Sequence, residues 1–109
     1  NASQSPIPPL MDDGTTTDNM PPFVNVRTPV LNQVKIGSRY ALTMDATDKS
    51  GIRQVDLYID GKLFCIEKSA PYVCYWTVPP LPKPYTIEAR AYDPLGNIAK
   101  STITITTIP

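Results

Sequence analysis

A chain of 109 residues with ten acidic and ten basic side chains fits one domain built around one core. Its Lys and Arg residues stand singly rather than in a dense stripe, no apolar run nears the roughly 20 residues that cross a bilayer, and there is no histidine. These features argue against nucleic-acid binding, against membrane insertion, and against the hydrolytic mechanisms that depend on an imidazole base or ligand.

Residues 1–22 hold five prolines and three acids with no base, which leaves ten bases against seven acids, or +3, in residues 23–109. Proline favours extended backbone and withholds amide donors, so 1–22 reads as a Pro-rich, semi-rigid linker and implies a neighbouring domain upstream in a longer exported polypeptide. From Phe23 the dominant period is two, which buries one set of side chains and wets the other. Val24 and Val26 mark a first strand, and Tyr40, Leu42, Met44 and Ala46 a longer second one. Val55, Leu57 and Ile59 mark a third, which runs into Asp60-Gly61. That dipeptide accepts the positive φ values of a type I′ turn and predicts a hairpin into a fourth strand, Lys62 to Glu67. Tyr72 to Trp76 alternate again, before a proline-rich connection (VPPLPKP) that a sheet interior cannot hold. Ile87, Ala89 and Ala91 give a sixth strand, Asp93 to Asn97 a turn, and Ser101 to Ile108 the last strand. Seven strands with no helical spacing predict an all-β sandwich over 23–109.

Several short pieces recur in a telling order. Pro21-Pro22 leads into Val24 and Val26; Ala46-Thr47-Asp48 is followed by Gly51-Ile52 and by Val55 to Gly61; Ala70-Pro71-Tyr72 precedes Trp76; Ala89 to Asp93 precedes Gly96-Asn97. In this order and spacing they resemble the bacterial immunoglobulin-like family, whose members recur as modules of large secreted enzymes and surface proteins. The likeness covers nearly all of residues 21–107. It implies a seven-stranded immunoglobulin-like β-sandwich with no catalytic residues, in a secreted or cell-surface bacterial protein. The Cys65 and Cys74 pair, with Val78-Pro79 after the tryptophan, is most similar to versions found beside subtilisin-like protease domains. Related modules also accompany chitinases and adhesins.

Three groups of residues are candidates for a role. Cys65 lies in the strand after the hairpin and Cys74 in the next, so a cross-strand disulfide is expected. Closing a loop of about ten residues removes unfolded-state entropy worth roughly 2.5 to 3 kcal/mol. Such a bond persists in an oxidising compartment, and its spacing differs from that of redox-active Cys-x-x-Cys pairs. Asp48, Asp93 and Asn97, with Asp45 nearby and with Asp18 and Asn19 on the incoming linker, form an oxygen-rich constellation. In an immunoglobulin-like sandwich the loops carrying Asp48 and Asp93 share one pole, where they could hold calcium, an ion that takes six to eight oxygen ligands. The competing reading makes these residues turn formers beside Gly51 and Gly96. Alternation finally sets Tyr58 opposite Leu57 and Ile59, Phe64 opposite Leu63 and Cys65, and Tyr92 opposite Ala91. Rings on an outer face can stack on polysaccharide or protein, or simply pair across strands. Trp76, in phase with Tyr72 and Cys74, belongs to the core.

The expected role is a non-catalytic accessory or spacer module of a secreted hydrolase. The alternative is an adhesion or substrate-binding module using Tyr58, Phe64 and Tyr92. A monomer is expected, with no cofactor beyond the calcium considered above.

Overall fold

The computed structural model describes residues 20–27 and 32–109. Eight strands run along them: β1 (Phe23–Arg27), β2 (Gln33–Lys35), β3 (Arg39–Thr47), β4 (Gln54–Ile59), β5 (Lys62–Glu67), β6 (Tyr72–Thr77), β7 (Tyr85–Tyr92) and β8 (Ile98–Ile108). Seven of these are the strands that alternation predicts. The addition, β2, is three residues long and buries only Val34, too little to register a period of two. Residues 1–19, the bulk of the expected linker, lie outside the described residues.

The strands form two sheets, ordered β1-β3-β6 and β2-β8-β7-β4-β5. All pairings are antiparallel except that of β2 with β8. The N-terminal edge is thereby divided, with β1 on β3 in one layer and β2 on β8 in the other. The two layers make a β-sandwich of immunoglobulin type. Its interior is filled by the in-phase residues of both sheets, among them Val26, Leu42, Met44 and Trp76 from the smaller and Val55, Leu57, Ile87 and Ile105 from the larger. Trp76 is buried as expected and meets Tyr85 edge to face, with ring centroids 5.1 Å apart. The Tyr85 hydroxyl donates to the Leu81 carbonyl at 3.0 Å, which anchors the proline-rich connection to the core.

The predicted hairpin is present. Asp60 and Gly61 both have positive φ, 51° and 82°, and Ile59 faces Lys62 across a two-residue turn. The Asp60 carboxylate then ties the turn to the neighbouring strand. It accepts the Thr86 amide at 2.9 Å and pairs with the Lys83 ammonium, while the Asp60 N–H donates to the Thr86 carbonyl at 2.8 Å.

Two sequence expectations are corrected. Strict alternation sets Leu63 and Cys65 on one face, but Leu57 faces Cys65 while Tyr58 faces Leu63, so two steps on β5 match one on β4. This β-bulge, with Phe64 as the extra residue, turns Cys65 inward and Leu63 outward. The disulfide between Cys65 and Cys74 is present, with Cα atoms 6.5 Å apart. It does not join neighbouring strands of one sheet. β5 pairs only with β4 and β6 only with β3, so the bond clasps the edge of the larger sheet to the edge of the smaller.

Candidate functional site

The outer face of the larger sheet gathers Gln54, Asp56 and Tyr58 from β4 and Glu88, Arg90 and Tyr92 from β7. The register sets Gln54 opposite Tyr92, Asp56 opposite Arg90, and Tyr58 opposite Glu88. Period two puts each triplet on one side, so these six side chains form adjoining rows. The Arg90 guanidinium lies 4.1 Å from the centre of the Tyr58 ring and donates to Glu88. Cation–π attraction and the ion pair act together on one side chain, which fixes its position. Asp56 is 5 % exposed although it belongs to the outer face. It accepts the Gln54 amide at 2.8 Å and the Tyr92 hydroxyl. Burial, reinforced by the Asp56 charge, pushes the Tyr92 phenol above its usual range.

Of the three predicted aromatic contacts, Tyr58 and Tyr92 therefore share this face, separated by the Asp56–Arg90 row. Phe64 stands at the bulge on the edge strand and is exposed. The arrangement is not a bare aromatic strip: Arg90 covers one face of Tyr58, and the Tyr92 hydroxyl serves Asp56. Residue-by-residue reading missed Arg90 and Asp56. The signal was available in the matching phases of Gln54-x-Asp56-x-Tyr58 and Glu88-x-Arg90-x-Tyr92, but only a known register aligns the two.

The loop bearing Asp48 and the turn bearing Asp93 do share one pole. The Arg53 amide, at the end of the first, donates to the Tyr92 carbonyl at the start of the second at 2.7 Å. Each acid organises its own turn. Asp48 accepts the Ser50 amide at 2.9 Å, and the Gly51 amide donates to the Asp48 carbonyl. Asp93, fully buried, accepts the Leu95 and Asn97 amides at one oxygen and the Asn97 side-chain amide at the other. The residues named for calcium are thus engaged as turn formers, with Asn97 donating through its amide nitrogen. Asp45 sits away from them on β3, where its carboxylate takes both arms of Arg27 at 2.7 and 2.8 Å and is held below the usual carboxylate range by that bond. Among the described residues, no three acidic, histidine or cysteine side chains gather as a metal site. Asp18 and Asn19 lie outside them.

A three-stranded and a five-stranded sheet closed over one core define an immunoglobulin-like module. The chain belongs to the bacterial Ig domain family, whose model matches residues 22–89. Among solved structures it is similar to the fibronectin(III)-like modules of Clostridium thermocellum CbhA, at 23 % identity and a TM-score of 0.70. That match covers 80 % of this chain and 46 % of the other, so the chain spans less than half of that structure. It is also similar to a superoxide reductase (neelaredoxin) from Ignicoccus hospitalis, at 14 % identity and a TM-score of 0.63, over 78 % of this chain and 79 % of that one. Bacteroides uniformis β-glucuronidase matches at 15 % identity and a TM-score of 0.58, over 81 % of this chain and 11 % of the enzyme. At these identities the likeness is one of fold. No curated protein matches the sequence. Domains of this family are typically accessory modules of larger polypeptides.

Proposed function

We propose that this domain is a non-catalytic spacer of a secreted or cell-surface bacterial protein, carried by a hydrolase of which a subtilisin-like protease is the parent the sequence resemblance favours. The observation that carries this reading is the covalent clasp between Cys65 and Cys74. It holds the two layers together at their edges, where a sandwich would otherwise open first, and an extracellular spacer beside a protease must resist local opening. The bond also suits an oxidising compartment. Neighbouring domains of the same polypeptide are its partners. Deleting the domain from its parent is expected to lower the parent's resistance to proteolysis and its secreted yield while leaving the chemistry at the active site intact. A deletion that alters neither, and leaves the substrate range unchanged, removes the proposal.

The second reading, an adhesion or substrate-binding role through Tyr58, Phe64 and Tyr92, draws on the exposure of Phe64 beside Tyr58. Retention of the isolated chain on cellulose, chitin or collagen supports it. The spacer reading expects the chain in the supernatant.

A further inference from the structure

We propose that β5 is a self-association edge, through which two copies of this chain pair antiparallel about a two-fold axis passing between Phe64 and Cys65. β5 ends the larger sheet and pairs only with β4, so its outer backbone groups face away from the sandwich. Natural edge strands are usually blunted by proline, by charge in mid-strand, by very short length or by a bulge, and of these β5 has only the bulge at Phe64. β5 has six residues, no proline, and no charge between Lys62 and Glu67. In their place it exposes three large apolar side chains in near succession: Leu63 at 51 %, Phe64 at 42 % and Ile66 at 44 %.

The strand is complementary to itself. Antiparallel pairing about that axis sets Lys62 against the partner's Glu67, Leu63 against the partner's Ile66, and Phe64 against the partner's Cys65. Opposite charges and apolar pairs then face each other at every step, twice over by symmetry. In a regular strand this register fails, because residues 63 and 66 would project to opposite faces. The bulge changes the phase: Leu63 faces Tyr58 and Ile66 faces Asp56, so both lie on the outer face and meet their counterparts across the axis. Lys62 and Glu67 enter none of the ion pairs found among the described residues, and their charges remain available. The Cys65–Cys74 bond orders the edge in advance, which lowers the entropy lost on pairing.

Six residues a side make a small interface, which belongs to the transient class, with dissociation at roughly 100 µM. Such contacts gain weight when the parent polypeptide brings copies together at a surface. Such a dimer would differ from the monomer expected from the sequence, and the two are separated by the measurement below.

Sedimentation equilibrium on the 109-residue chain, from about 10 µM to about 1 mM, tests the proposal, with circular dichroism to verify that each variant is folded. The wild type is expected to show a monomer–dimer equilibrium. K62E and E67K each set like charges face to face at two places and are expected to weaken the dimer about fivefold to tenfold. The double variant K62E/E67K restores opposite charges and is expected to recover wild-type affinity. A chain that stays monomeric throughout, leaving the edge to a foreign strand or to solvent, overturns the proposal. A dimer indifferent to the single reversals, or one that the double variant fails to rescue, does so equally.

Discussion

The Asp93 carboxylate has no exposed surface, and its stability rests on three N–H donors supplied within four residues. Asp93→Ala removes the acceptor of these three part-buried donors and is expected to cost about 1–3 kcal/mol in urea unfolding. Asp93→Asn keeps one carbonyl for the two backbone amides but turns the other atom into a donor facing Asn97, so an intermediate loss is expected. Because both oxygens already serve the turn, a chelator is expected to leave the thermal midpoint of the wild type unchanged; a fall would establish a bound cation. Asp60 gives the pH dependence its sign. The Lys83 hydrogen bond, then the Thr86 amide, hold its carboxyl below the usual carboxylate range. Its contribution is therefore complete above the ordinary carboxylate pKa and disappears as pH falls through the lower folded value. Asp60→Asn keeps the positive φ tolerable and is expected to flatten the stability profile between about pH 5 and pH 2, measured by urea midpoints.

At the scale of elements, the β4–β5 hairpin shows where local chemistry suffices. The Gly61 φ of 82° admits no side chain cheaply, although a Cβ built there meets nothing within 4 Å. Gly61→Val is thus expected to lose about 1–2 kcal/mol through backbone strain alone, and a shift in unfolding midpoint without change in slope checks this. Strand positions were equally legible, since β6 and β7 alternate over their full six and eight residues and β3 does so from Ala41 to Asp45. The bulge was not. It inserts Phe64 between Leu63 and Cys65, two apolar neighbours that read as in phase, and only their β4 partners reveal the slip. β2 escaped for a different reason: its pairing with β8 is set by a strand some seventy residues away.

For the molecule as a whole, the disulfide decides how the two layers separate. Its loop is short, with a sequence separation of 9, and its removal in a Cys65→Ala, Cys74→Ala variant is expected to cost about 2.5–3 kcal/mol by the chain-entropy argument. The clasp joins layers rather than neighbours, so the loss should be local as well as global. Limited proteolysis is expected to cut the variant first between residues 66 and 73, where the wild type resists. Equal cleavage patterns would show that packing alone closes this edge.

Composition, period and turn chemistry determined the all-β class, seven strands, the type I′ hairpin, the buried tryptophan and the cysteine pair, because each of these is written in residues close together in sequence, nine positions apart for the cysteines. Tertiary structure alone decided which edges the cysteines join, that Arg90 caps Tyr58 over a buried Asp56, and that Asp48 and Asp93 each accept amides of their own turns. Those outcomes depend on strand order and register, which arise from burying both sheets against each other. No single strand's pattern contains that choice.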